Sequence, residues 1–87
     1  MKITSRELNQ IGNAYIKADK PNTGKLFQDL AATVAEKYKG IVDAKIIEFL
    51  IKGCGLPMTE EELIRLVDLC RLNDLGATAK KRVYSKH

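Results

Sequence analysis

Apolar residues recur at three- and four-residue spacing in four blocks, each bounded by Pro or Gly. Leu8, Ile11, Tyr15 and Ala18 form the first block, and Pro21 and Asn22 stop or redirect the chain after it. Leu26, Phe27, Leu30, Ala31, Val34 and Tyr38 form the second, closed by Gly40. Val42, Ile46, Ile47, Phe49, Leu50 and Ile51 form the third, closed by Gly53. Leu63, Leu66, Val67 and Cys70 lead the fourth, with Gly76 placed to end it in a left-handed turn. A period near 3.6 marks helices with one buried stripe. The pattern predicts helices near residues 4–19, 23–39, 42–52 and 59–75. The expected fold class is all-α: a compact four-helix domain over residues 1–76, with a short basic tail over 77–87.

Two helix starts are written in side-chain chemistry. Thr4-x-x-Glu7 and Thr59-x-x-Glu62 both have the form of a capping box. In such a box the Thr hydroxyl accepts from an otherwise unpaired helix N–H, and the Glu carboxylate accepts from the N–H of the Thr. Ile3 with Leu8, and Met58 with Leu63, are spaced to close a hydrophobic staple around each cap. Glu60, Glu61 and Glu62 suit the positive end of the last helix dipole, and Arg71 suits the negative end.

The third block is apolar over more than half of its circumference, which predicts the buried centre of the fold. Its β-branched Ile residues are compatible with a strand. The Gly residues about twelve apart, and Asp43, Ala44, Lys45 and Glu48 at its start, favour helix. In the tail, Val83 and Tyr84 lack a hairpin partner, so the expected state of residues 77–87 is disordered.

Composition changes this picture little: 87 residues allow one core, and 45% hydrophobic with 30% charged residues is ordinary for a globular domain. No apolar run approaches the roughly 20 residues that cross a bilayer, and the run at residues 46–51 is interrupted by Glu48. The first residues lack the apolar core of a signal peptide, so a cytoplasmic protein without membrane contact is expected. Charge distribution is more informative. The net charge is +4, and residues 77–87 carry four bases (Lys80, Lys81, Arg82, Lys86) and no acid. The rest of the chain is therefore formally neutral, and the segment preceding the tail is acidic.

Candidate chemistry is sparse. The only histidine is His87, too near the chain end to be a positioned base, which disfavours Ser–His or Cys–His nucleophilic catalysis. Cys54 and Cys70, sixteen apart, lack the paired spacing of a zinc site, and both read as reduced thiols: Cys70 on a core-facing stripe, Cys54 in a Gly-flanked loop. Thr23-Gly24-Lys25 departs from a phosphate-loop pattern because Leu26 stands where a hydroxyl is needed. A helix-turn-helix reading of residues 30–50, with Gly40 and Ile41 at the turn and Ile46 packing behind it, meets a charge-balanced recognition helix. Asp43, Lys45, Glu48 and Lys52 include no Arg, Asn or Gln to read a base edge. No enzyme, cofactor or metal is expected.

Binding signals remain. The last helix has Leu63 and Leu66 on its core face, and also Ile64, Leu69, Leu72 and Leu75 on other sides. A peripheral helix of so small a domain cannot bury all of these, so they are the expected contacts to a protein partner or a second copy. The expected function is that of a small regulatory or inhibitory binding protein, a kind common at this size in bacteria and phages. The alternative is nucleic-acid binding through Lys80, Lys81, Arg82 and Lys86, with Tyr84 stacking on a base.

Overall fold

The computed structural model describes the backbone of residues 1–85 and the side chains of residues 1–72. Four helices make up the fold, α1 (Ser5–Lys17), α2 (Pro21–Lys37), α3 (Ala44–Gly53) and α4 (Glu60–Ser85), and the all-α class holds. Two three-residue strands accompany them, β1 (Lys2–Thr4) and β2 (Ile41–Asp43). These strands pair antiparallel, with Ile3 opposite Val42.

The strand pair has no counterpart in the sequence pattern, and it grows out of the capping chemistry. Thr4 is the last residue of β1 and the N-cap of α1; Asp43 is the last residue of β2 and the N-cap of α3. The extended backbone that an N-cap requires is thus prolonged by two residues on each side and joined into a ladder. Ser5 N–H donates to the Gly40 carbonyl at 3.0 Å and Ala44 N–H donates to the Met1 carbonyl at 2.8 Å, so the pairing continues past both caps. Ile3 and Val42 alternate inward and are buried. The staple residue of α1 is therefore also the core residue of a strand.

Both capping boxes form. Glu7 N–H donates to Thr4 Oγ1 at 3.2 Å, and Thr4 N–H donates to Glu7 Oε1 at 2.9 Å. At α4, Glu62 N–H donates to Thr59 Oγ1 at 3.2 Å and Thr59 N–H donates to Glu62 Oε1 at 3.4 Å. Both staples close on buried residues, Ile3 with Leu8 and Met58 with Leu63.

Pro21 starts α2 rather than preceding it, occupying the first helical position, where a missing N–H costs nothing. Gly24 therefore lies inside the helix, buried against Gly12 of α1, and does not form an anion-binding turn. A Cβ built on Gly24 would sit 2.6 Å from the Gly12 carbonyl oxygen, so α1 and α2 meet backbone against backbone. Beside this crossing Tyr15 stacks on Phe27, centroids 5.6 Å apart and planes 9° from parallel. Gly40, at φ +89°, turns the chain from α2 into β2.

Two further expectations are overturned, and the helix-turn-helix reading that the charges disfavour falls as well. The helix-turn-helix reading fails because a strand, β2, lies between α2 and α3. The third helix is not buried all round: Ile47 and Ile51 reach the core, whereas Phe49 is 77% exposed and Ile46 39% exposed. A ten-residue helix packed on one side by α4 and the strand pair has no layer left to cover its outer face. Finally, α4 does not end at Gly76 but continues to Ser85. Gly inside a helix costs about 1 kcal/mol relative to Ala, and the following Ala77, Ala79, Lys80, Lys81 and Arg82 are strong helix formers that offset it.

Candidate functional site

The solvent-facing side of α4 is set by what its other side must do. Leu63 and Val67 enter the core, while Ile64, Leu66 and Cys70 pack partly buried at its edge. What remains outside is Glu61, Glu62, Arg65, Asp68, Leu69 and Leu72. Leu69 is 56% exposed and Leu72 is 65% exposed, so two large aliphatic side chains stand in solvent one turn apart. Between α1 and α4 runs a shallow groove of about 310 Å³ whose lining includes Ile11, Ala14, Tyr15, Leu66, Leu69 and Cys70. Burial, and then the nearby Glu62 carboxylate, raise the Tyr15 phenol above its ordinary value.

Of the four interface residues expected from sequence, Leu69 and Leu72 stand exposed on this outer side. Ile64 does not, because it packs against the core. Leu75 lies in α4 beyond the described side chains. Of the basic-end residues, Lys80, Lys81, Arg82 and Tyr84 are α4 positions whose side chains are outside the described ones, and Lys86 is outside the described residues altogether.

Arg71 has a part that sequence does not assign. Its guanidinium clamps α4 to the start of α1: Nε donates to Glu7 Oε2 at 2.5 Å, and Nη2 donates to Glu7 Oε1 at 3.3 Å and to the Lys2 carbonyl at 2.9 Å. Expected as a dipole partner at a helix end, Arg71 is instead mid-helix, because α4 runs on. Burial raises the Glu7 carboxyl, but the Arg71 hydrogen bond and the Thr4 N–H and hydroxyl outweigh it and hold the group below its ordinary value. Unfolded Glu7 binds a proton near the ordinary carboxylate pKa of about 4.3, whereas folded Glu7 resists until lower pH. Its contribution to stability is therefore complete above that value and is lost as pH falls through the lowered one. Glu7→Gln is expected to flatten the dependence of melting temperature on pH in the acid limb, because the amide does not titrate. An unchanged acid limb would show that the clamp carries no charge-dependent stability.

Two other surface features are plain. Ile46 and Phe49, three apart on α3, form a second apolar patch. Their i, i+3 spacing is readable in the sequence, but the apolar circumference of that helix points to burial instead. A shallow cleft of about 380 Å³ between α2 and the α3–α4 loop is lined by Asn22, Lys25, Leu26, Asp29, Leu30, Thr33 and Cys54, with Cys54 an exposed free thiol. Among the described residues no His, Cys, Asp or Glu cluster of three is placed to hold a metal ion, and no helix is long and apolar enough to cross a membrane.

Comparison with protein-family models, with curated proteins and with solved structures returned no significant match. The fold and surface define a small all-α domain whose last helix presents exposed aliphatic side chains beside an apolar groove.

Proposed function

We propose that this chain is a non-catalytic binding protein of regulatory or inhibitory type, which holds a protein partner on the outer face of α4. The observation that carries the reading is the exposure of Leu69, at the rim of the groove shared with α1, and of Leu72 one turn further on. Apolar side chains at this spacing match the way helices engage one another, as i, i+3 and i+4 anchors.

The test is a photo-crosslinking residue placed at Leu72, in the cell that makes the protein, with Glu36 on exposed α2 as the control position. Discrete adducts at position 72 and none at 36 are expected. Equal labelling at both positions, or none at either, defeats the reading.

A second reading draws on one finding. Because α4 continues through Gly76, Lys80, Lys81 and Arg82 are consecutive helix positions rather than a loose tail. Such a cluster suits phosphate contacts on nucleic acid. Truncation after Gly76 would cut α4, so the discriminating variant is K81E/R82E. If the basic end binds a duplex, this variant lowers the salt slope of binding by roughly 0.9 for each phosphate that it no longer neutralises.

A further inference from the structure

We infer that the partner of the α4 face is a second copy of this chain, docked antiparallel along α4. This rests on the reading of that face given above, and it commits to the occupant.

The first ground is the spacing of the outer face. Arg65, Leu69, Leu72, Gly76, Ala79 and Val83 follow one another at alternating intervals of four and three. That is a repeat of 3.5 residues, the period of a seam between two helices rather than of a single amphipathic surface. Where side chains are described, the seam faces away from the body: Val67 and Leu63 are buried, while Arg65, Leu69 and Leu72 are exposed. Gly76 and Ala79 are small, which suits close approach of a second backbone.

The second ground is charge. α4 opens on Glu60, Glu61 and Glu62 and carries Lys80, Lys81 and Arg82 near its end. A helix with this polarity complements itself in one orientation only. Consider an antiparallel pair whose central layers set Leu69 against Leu72 of the second copy. Positions 61 and 82 are then equivalent flanking positions of the seam in neighbouring register, and positions 62 and 80 fall within one layer of each other. The same register thus satisfies both the apolar and the charged positions, twice by two-fold symmetry. A parallel pair would set acid on acid and base on base.

The third ground is length. At 1.5 Å per residue the 26 residues of α4 span about 39 Å, twice the 13 residues of α1. Arg71 already meets Glu7 and the Lys2 carbonyl at the beginning of α1. The body therefore accompanies α4 to about its midpoint, and in the antiparallel pair the first half of each α4 lies along the second half of the other.

The test uses the full chain in sedimentation equilibrium, with E61K, R82E and their equimolar mixture, each checked for unchanged helix content by circular dichroism. The wild type is expected to show a dimer at tens of micromolar, weakened by salt. Each variant alone is expected to dissociate at least about tenfold more readily, because like charges then face each other at both ends of the seam. The mixture is expected to be tighter than either variant alone, since one of its two ends then sets the lysine of E61K against the glutamate of R82E and the other keeps the original Glu61–Arg82 pair. L72D, at an exposed position, is expected to be a folded monomer. A wild type that stays monomeric at several hundred micromolar overturns the second copy as partner. The Leu72 crosslink then decides separately whether the face binds a different protein. A dimer whose two variants do not rescue each other overturns the antiparallel register.

Discussion

Phe27→Ala is expected to remove about 3–5 kcal/mol of folding free energy, the range for deleting a fully buried aromatic side chain. Phe27 is inaccessible to solvent and stacked on Tyr15, at the point where α1 crosses α2. An 87-residue domain has about 4–13 kcal/mol of stability in all. The variant is therefore expected to melt at least about 12 °C lower, and at the low end of that range to be largely unfolded at about 37 °C. The backbone contact between Gly12 and Gly24 prevents the helices from closing over the cavity, because they already touch. Phe27→Leu, which fills most of the volume, should recover more than half of the loss. Thermal unfolding followed by circular dichroism checks both; a loss under about 1 kcal/mol for Phe27→Ala would mean that the site collapses and that the crossing is softer than described.

The second large effect comes from adding a single methyl group. On helix propensity alone, Gly24→Ala in the first turns of α2 should stabilise by up to about 1 kcal/mol. The expected result is the reverse. The new Cβ would lie 2.5 Å from Ile16 Cγ1 and 2.6 Å from the Gly12 carbonyl oxygen. The Ile16 side chain is part-exposed and can turn away, but the Gly12 carbonyl belongs to the α1 backbone and can move only with the helix. Overpacking of this kind costs about 1–3 kcal/mol, enough to cancel the propensity gain and leave a net loss of up to about 2 kcal/mol. Gly53→Ala is the internal control, since nothing lies within 4 Å of a Cβ at that helix-terminal position. It should be neutral or slightly stabilising. Equal effects at positions 24 and 53 would show that α1 and α2 do not meet through their glycines.

The two glycines also mark a limit of pattern reading. Gly24, beside Thr23 and Lys25, invites comparison with phosphate loops, because local sequence carries no record of which backbone lies opposite. Pro21 reads locally as a stop and is the first residue of the next helix; both roles follow from its fixed φ and missing N–H, and only the position of the following helix distinguishes them. The exposure of Leu69 and Leu72 is legible because the last helix carries more apolar residues than one face can hold. The same count puts Ile64 with them, but it lies close enough to the Leu63–Val67 stripe to pack at the core edge. Phe49 shows the opposite error. An apolar circumference predicts burial, yet the chain offers no further layer beyond α3.

The features that follow from the amino-acid sequence alone are local ones. The four helices, the two capping boxes with their staples, and the core stripes Leu8–Ile11, Phe27–Leu30–Ala31–Val34 and Leu63–Val67 arise from hydrogen bonds and spacings within a few residues. The assembled fold sets the rest. It joins two N-cap segments, Lys2–Thr4 and Ile41–Asp43, into a strand pair, because each three-residue piece is too short to signal a strand until the other lies beside it. It brings Arg71 to Glu7 across 64 residues of chain, and Gly12 to Gly24 across a helix crossing. It also selects which apolar residues stay in water, a choice that depends on how many layers the whole chain can supply and not on any one segment.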